Sequence, residues 1–235
     1  MKLILKQKPK GVILINGFPG FGLIGTIGTE FLVEHLKTEK IGSVEMDEVP
    51  AVVAIHDGKV VEPVSIHYNK KFNIVLLHAI NVGNEQGWKM ADIVKELAEQ
   101  LTAKEIITLE GVGSQVMNNQ PDVYYFTSEP KKVNQLKAVA KPMTEGVVVG
   151  VAGALLVKEK RFPITALFAE THSQLPDSKA AAMIIKALDQ YLGLDVDYKP
   201  LLKQAEIFES KLKGMFEKSK EATDLQEKKK LNYVG

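Results

Sequence analysis

Cysteine is missing from this chain altogether. Disulfides, thiolate nucleophiles and cysteine metal sites are therefore excluded. Arginine is nearly missing: Arg161 stands alone among 30 basic residues, the rest being lysine. Lysine is the poorer choice for planar, two-pronged recognition of phosphates or bases. A net charge of +1 creates no field to draw the chain onto nucleic acid or an acidic membrane. Long apolar runs are missing as well. Nothing approaches the ~20 residues of a membrane span, and Lys6, Lys8 and Lys10 interrupt the opening MKLILKQKPKGVILING before a secretory apolar region can form. These absences give the expectation of a cytoplasmic protein. A cysteine-free composition rich in lysine and glutamate is also a trend of thermophilic proteins.

The usual signatures of chemistry are absent too. There is no GxxxxGK[ST] phosphate loop, and Gly111-Val112-Gly113-Ser114 lacks the glycine that would complete a GxSxG nucleophile elbow. His35, His56, His67, His78 and His172 are scattered, with no pair at the spacing of helical zinc ligands. His78 ends an apolar run and reads as a core or sheet-end residue. His172, beside Glu170 and near Asp177, is the best candidate for a general base. No nucleophile, base and oxyanion site assemble from these residues, so no enzyme, cofactor or metal is expected.

What is present is the pattern of an α/β protein. The chain of 235 residues is 45% apolar and 25% charged, an ordinary globular composition long enough to bury roughly 70% of its unfolded surface. Val12–Ile15 reads as a buried strand, and Leu23–Leu36 as a helix ended by Thr38–Gly42. Val44, Ala51–Ile55, Lys59–Tyr68 and Asn73–His78 form a β-rich stretch, with a hairpin turn at His56-Asp57-Gly58-Lys59. Met90, Ile93, Val94, Leu97 and Leu101 line one face of a helix over Trp88–Leu101. Ile106–Leu109, Asp122–Thr127 and Ile164–Ala169 read as strands, and Lys131–Val139 and Lys179–Leu192 as helices, the last closed by Gly193. Strands alternating with helices predict a three-layer fold: a mostly parallel or mixed sheet with helices on both faces.

The glycine turn Gly17-Phe18-Pro19-Gly20-Phe21-Gly22-Leu23-Ile24-Gly25 spells GxGxxG over its last six residues, after a strand and before a helix. That is the context of dinucleotide binding, where glycines let the backbone reach a pyrophosphate at a helix N-terminus. Against it, Asn16–Pro19 separate the strand from the first motif glycine, and Glu45-Met46-Asp47-Glu48 offer no single acid for a ribose. The other reading is that the glycines serve tight helix–strand packing while Phe18 and Phe21 fill the core. A nucleotide- or small-molecule-binding α/β enzyme using this loop is the alternative to a non-enzymatic protein.

Past residue 197 the pattern changes. Leu201, Ala205, Phe208, Leu212 and Met215 step by four and three, a helical seam. A charged stretch follows, and the chain turns apolar again at Leu231-Asn232-Tyr233-Val234-Gly235, as a docking tail or a frayed end would. The organisation expected is a core domain over 1–197, a helix over 198–220 and a flexible tail over 221–235.

Several stretches in order carry a resemblance: GFPGFGLIG at 17–25, Asp57-Gly58 followed after Pro63 by VSIHY, the EGVGS loop at 110–114, Ala169-Glu170-Thr171-His172 with Leu175-Pro176-Asp177 and Ala180-Ala181, and Leu192-Gly193-Leu194. Over about residues 10–205 the chain resembles the proteasome assembly chaperone family, in particular archaeal relatives of the second eukaryotic assembly chaperone. The resemblance implies a nucleoside-phosphorylase-like fold without that enzyme's active site, with Gly17, Pro19, Gly20, Gly22 and Gly25 as a structural motif. It further implies homo-oligomers (tetramers or pentamers) that bind proteasome α-subunits or the 20S core particle, in assembly or as ATP-independent activators. Many members dock through a C-terminal hydrophobic–Tyr–X tripeptide. That assigns partner binding to Leu231, Tyr233, Val234 and Gly235, and the base of the tail or an oligomer contact to Leu201, Ala205, Phe208, Leu212 and Met215. Tyr233 stands third from the end, where that tripeptide has its tyrosine second from the end.

Overall fold

A computed structural model describes residues 1–46, 54–56, 59–113, 120–171 and 175–200, together with the single positions 202 and 214. In chain order the elements are β1 (Lys2–Leu5), β2 (Ile13–Gly17), α1 (Ile24–His35), β3 (Glu39–Glu45), β4 (Ala54–His56), β5 (Lys59–Val61), β6 (Val64–Asn69), β7 (Ile74–Ala79), α2 (Gly87–Gln100), β8 (Glu105–Gly113), β9 (Val123–Thr127), α3 (Val133–Lys137), β10 (Lys141–Pro142), α4 (Gly150–Lys158), β11 (Ile164–Thr171) and α5 (Ser178–Leu192). Nine strands form one sheet in the order β1-β3-β6-β7-β2-β8-β11-β9-β10. Its centre is parallel, β7 and β8 flanking β2 and β11 flanking β8, and β9 and β10 are parallel at one edge. The pairings of β1 with β3, β3 with β6, β6 with β7 and β9 with β11 are antiparallel. The sheet is therefore mixed, with its parallel core where βαβ crossovers feed it.

Alternation along the central strands splits the core into two layers. Ile15, Leu76, Ile107, Leu109 and Leu167 point to the side covered by Ile24, Ile27 and Leu32 of α1 and by Ala181, Ile184, Ile185 and Leu188 of α5. Leu14, Val75, Leu77 and Ile106 point to the other, under Met90, Val94 and Leu97 of α2 and Val151 and Leu155 of α4. This is the three-layer arrangement the sequence predicts.

Local chemistry sets the boundaries. Asp177 caps α5 by accepting the Ala180 N–H at 2.9 Å, and Gly193 ends that helix at φ +67, the left-handed position glycine tolerates. Some boundaries differ from expectation. α1 stops at His35, Lys37 turns at φ 49, and residues 39–45 belong to β3 rather than to a helix end. Pro63, which has no N–H for a ladder, divides Lys59–Tyr68 into β5 and β6. The edge strands β1 and β10 carry no alternation long enough to be legible. In the predicted hairpin His56 pairs Lys59; its turn residues Asp57 and Gly58 lie outside the described residues.

Candidate functional site

β2 runs through Asn16 to Gly17, so Phe18 and Pro19 alone separate it from Gly20, fewer residues than the sequence reading gave. The turn is packed on protein backbone. A Cβ on Gly17 would stand 2.0 Å from the Gly25 carbonyl oxygen, one on Gly25 2.3 Å from that of Leu109, and one on Gly111 2.0 Å from that of Phe21. The end of β2, the end of β8 and the first turn of α1 thus touch main chain to main chain, which no larger residue permits. Gly22 and Leu23 follow at φ 64 and 50, and the Gly22 carbonyl accepts the Asp177 N–H at 2.9 Å, tying the turn to α5. A left-handed leucine is unusual; Leu23 is held there by burial. Phe18 is buried as expected, whereas Phe21 is 41% exposed and does not fill the core. β3, the strand after α1, is separated from β2 by β6 and β7. In a dinucleotide fold that strand lies beside the first; here Glu45 ends it about 14 Å to the side, three strand spacings away.

The turn forms one wall of a cleft outside the C-terminal ends of β2, β7 and β8. Phe18, Phe21, Val82, Val147, Val151 and Phe168 give it apolar walls. Glu110 is the one polar side chain among the described lining residues. The Thr108 hydroxyl donates to its Oε1 at 3.0 Å, while Oε2 lies beside Gly20, 3.4 Å from where a Cβ would stand. Glu110 is half-buried, and desolvation by its apolar surroundings pushes its carboxyl up to about 8 against the opposing Thr108 hydrogen bond, so it is largely protonated at neutral pH. In the sequence Glu110 appears only at the head of the EGVGS stretch at 110–114, with no motif to single it out. Its signal is a carboxylate directly after the predicted strand Ile106–Leu109 and shortly before Gly111 and Gly113, at the carboxyl end of a parallel strand.

Glu170, at the end of β11, accepts the Tyr124 hydroxyl at 3.0 Å, and its neighbour Asp122 pairs with Lys141 at 2.7 Å. Asp177 caps α5 and accepts the Thr171 hydroxyl at 2.9 Å. The acids flanking the candidate base are thus engaged in the fold; His172 itself lies outside the described residues. His78 ends β7, as its position in the sequence suggests, and sits between the Thr29 hydroxyl at 2.9 Å and Glu30 Oε2 at 2.8 Å. Nearby His67 contacts the Ser65 hydroxyl at 2.9 Å. Burial, and then His78, hold His67 down at about 4. Among the described residues no three His, Asp or Glu side chains are placed to hold a metal ion, and no helix is long and apolar enough to cross a membrane. Leu201, Ala205, Phe208, Leu212, Met215, Leu231, Tyr233, Val234 and Gly235 lie outside the described residues.

Comparison with known proteins agrees with this architecture. The structure of Pyrococcus furiosus PbaA, described as an archaeal homolog of proteasome-assembly chaperone, superposes with a TM-score of 0.83 at 29% identity, covering 94% of this chain and 98% of that one. Pyrococcus furiosus PbaB, described as an archaeal proteasome activator, superposes with a TM-score of 0.75 at 21% identity over 91% and 97% of the two chains and shares the fold. The uncharacterized protein MJ0106 of Methanocaldococcus jannaschii is 28% identical over 92% of this chain and 91% of its own. The PAC2 family model matches residues 14–215, from the middle of β2, through the glycine turn and both helical layers, into the C-terminal segment. The chain belongs to the PAC2 family.

Proposed function

We propose that this protein is a non-enzymatic, self-associating adaptor that binds the proteasome, at its α-subunits or core particle, and acts in assembly, activation or both. The observation that carries the reading is the match to PbaA along nearly the whole of both chains at 29% identity. Composition agrees with a protein-binding role rather than a nucleic-acid one, since the net charge is +1 and arginine is nearly absent. The contact is assigned to the C-terminal segment, with Leu231, Tyr233, Val234 and Gly235 seated on the proteasome and the seam Leu201 to Met215 bracing each tail or joining protomers.

Multivalency supplies the strength. A single short tail binds with about millimolar affinity, roughly 4 kcal/mol. Several tails on one tetramer or pentamer raise the effective affinity by about 10²–10⁴ when their spacing matches the pockets. The test is co-sedimentation with 20S core particles and stimulation of their peptidase activity, comparing the full chain with one ending at Leu225. The full chain is expected to bind and the shortened one to lose at least tenfold in affinity. Equal binding by both would sink the tail assignment, and no binding by either would sink the adaptor reading.

A further inference from the structure

The cleft at the strand ends plays no part in that reading. Four features give it chemical definition. It sits outside the carboxyl ends of three parallel strands, where crossovers leave on opposite faces of the sheet: α1 follows β2 on one side and α2 follows β7 on the other. Open α/β sheets hold their ligands at such a point. One wall is built rather than loose, because the turn after β2 and the end of β8 meet at the Gly25–Leu109 and Gly111–Phe21 backbone contacts. Its lining is apolar, and Phe21, Val147 and Val149 carry that surface out to the rim at 41%, 85% and 52% exposure. Lastly, Glu110 turns one carboxyl oxygen to its Thr108 partner and leaves Oε2 facing the cleft. Among the described residues no lysine, arginine or histidine lines the space.

We propose that this cleft binds a small uncharged ligand with an apolar body and one carbonyl oxygen, received by the Glu110 carboxyl as hydrogen-bond donor. An apolar pocket with a single convergent polar group is the ordinary form of a small-molecule site. The polarity of the ligand follows from the charges. A carboxylic acid kept neutral by burial offers an O–H and repels no neutral acceptor. An anion meets no cation among the described lining residues, and a cation would have to ionise an acid held protonated by its surroundings. A carbonyl is the matching group: it accepts the proton of Oε2 while the rest of the ligand rests on Phe18, Val82 and Phe168.

The probe is isovaleramide, which joins a branched apolar body to one carbonyl, followed by amide chemical shifts of the full chain at pH 6.5 and pH 9.5. Saturable shifts confined to residues 18–21, 82–83, 110–113 and 147–151 are expected at pH 6.5, with affinity falling at least tenfold at pH 9.5 as Glu110 ionises. E110Q keeps a donor that does not titrate, so it is expected to bind at both pH values; E110A is expected not to bind. Isovalerate is expected to bind at least tenfold more weakly than the amide. Absence of shifts at pH 6.5 would overturn the proposal, as would equal affinity at the two pH values or equal loss in E110Q and E110A. If E110A does not fold, the pH comparison and E110Q decide. Shifts at the rim that grow with protein concentration alone would identify a second copy as the occupant and also overturn it.

Discussion

Gly25 is held between the Leu109 carbonyl oxygen and the Cα of Gly17, and neither obstacle can swing aside as a side-chain tip could. Gly25→Ala is therefore expected to cost about 3 kcal/mol or more, since even relaxed overpacking costs 1–3. Gly113→Ala, at the exposed end of β8 with no atom within 4 Å of its Cβ, is expected to stay within about 0.5 kcal/mol. Urea denaturation of both variants checks the contrast. Glu110 makes a second prediction at this scale. Its folded-state carboxyl titrates near 8 against an ordinary 4.5, so over that interval the folded chain holds a proton the unfolded chain has lost. The stabilisation is complete below 4.5 and disappears as pH rises through 8. His67, lowered from 6.5 to about 4, acts in the opposite sense, its stability present above 6.5 and lost as pH falls through 4. Between pH 6.5 and 8 the melting temperature of the wild type is therefore expected to fall, and that of E110Q to fall less.

Among the elements, α5 shows how much a few residues decide. Its fifteen residues carry a buried alanine and isoleucine face, but its start is set by Asp177, which satisfies both the Ala180 N–H and the Thr171 hydroxyl. Asp177→Ala is expected to cost about 1–2 kcal/mol by losing the cap, and Asp177→Asn to recover most of it; thermal unfolding distinguishes them. Helices such as this were legible in the sequence because periodicity and capping are local. The edge strands were not: β1 owes its existence to pairing with Leu5–Lys2 against Gly42–Glu45, a partnership no local pattern announces. α4 was equally obscure, since Gly150 to Leu156 is small and apolar on every side and is placed by packing against α2.

For the whole molecule, the core continues past the end of α5. Leu194 and Val196 remain in the core beyond α5, at 2% and 5% exposure, and the Val196 N–H donates to Asp189 at 3.0 Å. A chain ending at Lys199 is expected to unfold in the same cooperative transition as the full protein. One ending at Gly193 is expected to lose roughly 3–5 kcal/mol, the transfer energy of two buried aliphatic side chains. Calorimetry of both shortened chains tests this boundary.

By itself, the sequence determined the three-layer α/β class, because a period of two in the strands and 3.6 in the helices already states which faces must be buried. It also marked the turn at 17–25 as a place of close approach, by a ligand or by a helix on a strand, without deciding between them. Tertiary structure decided the rest. It filled the glycine turn with the main chain of β8, set two strands between β2 and β3, left Phe21 exposed, and lowered Glu110 into apolar surroundings that keep its proton. Each of those outcomes depends on segments far apart in the chain meeting in space. Glu110 shows the division most clearly: as a letter it is an anion, and only the walls brought around it by β2, α4 and β11 make it an acid.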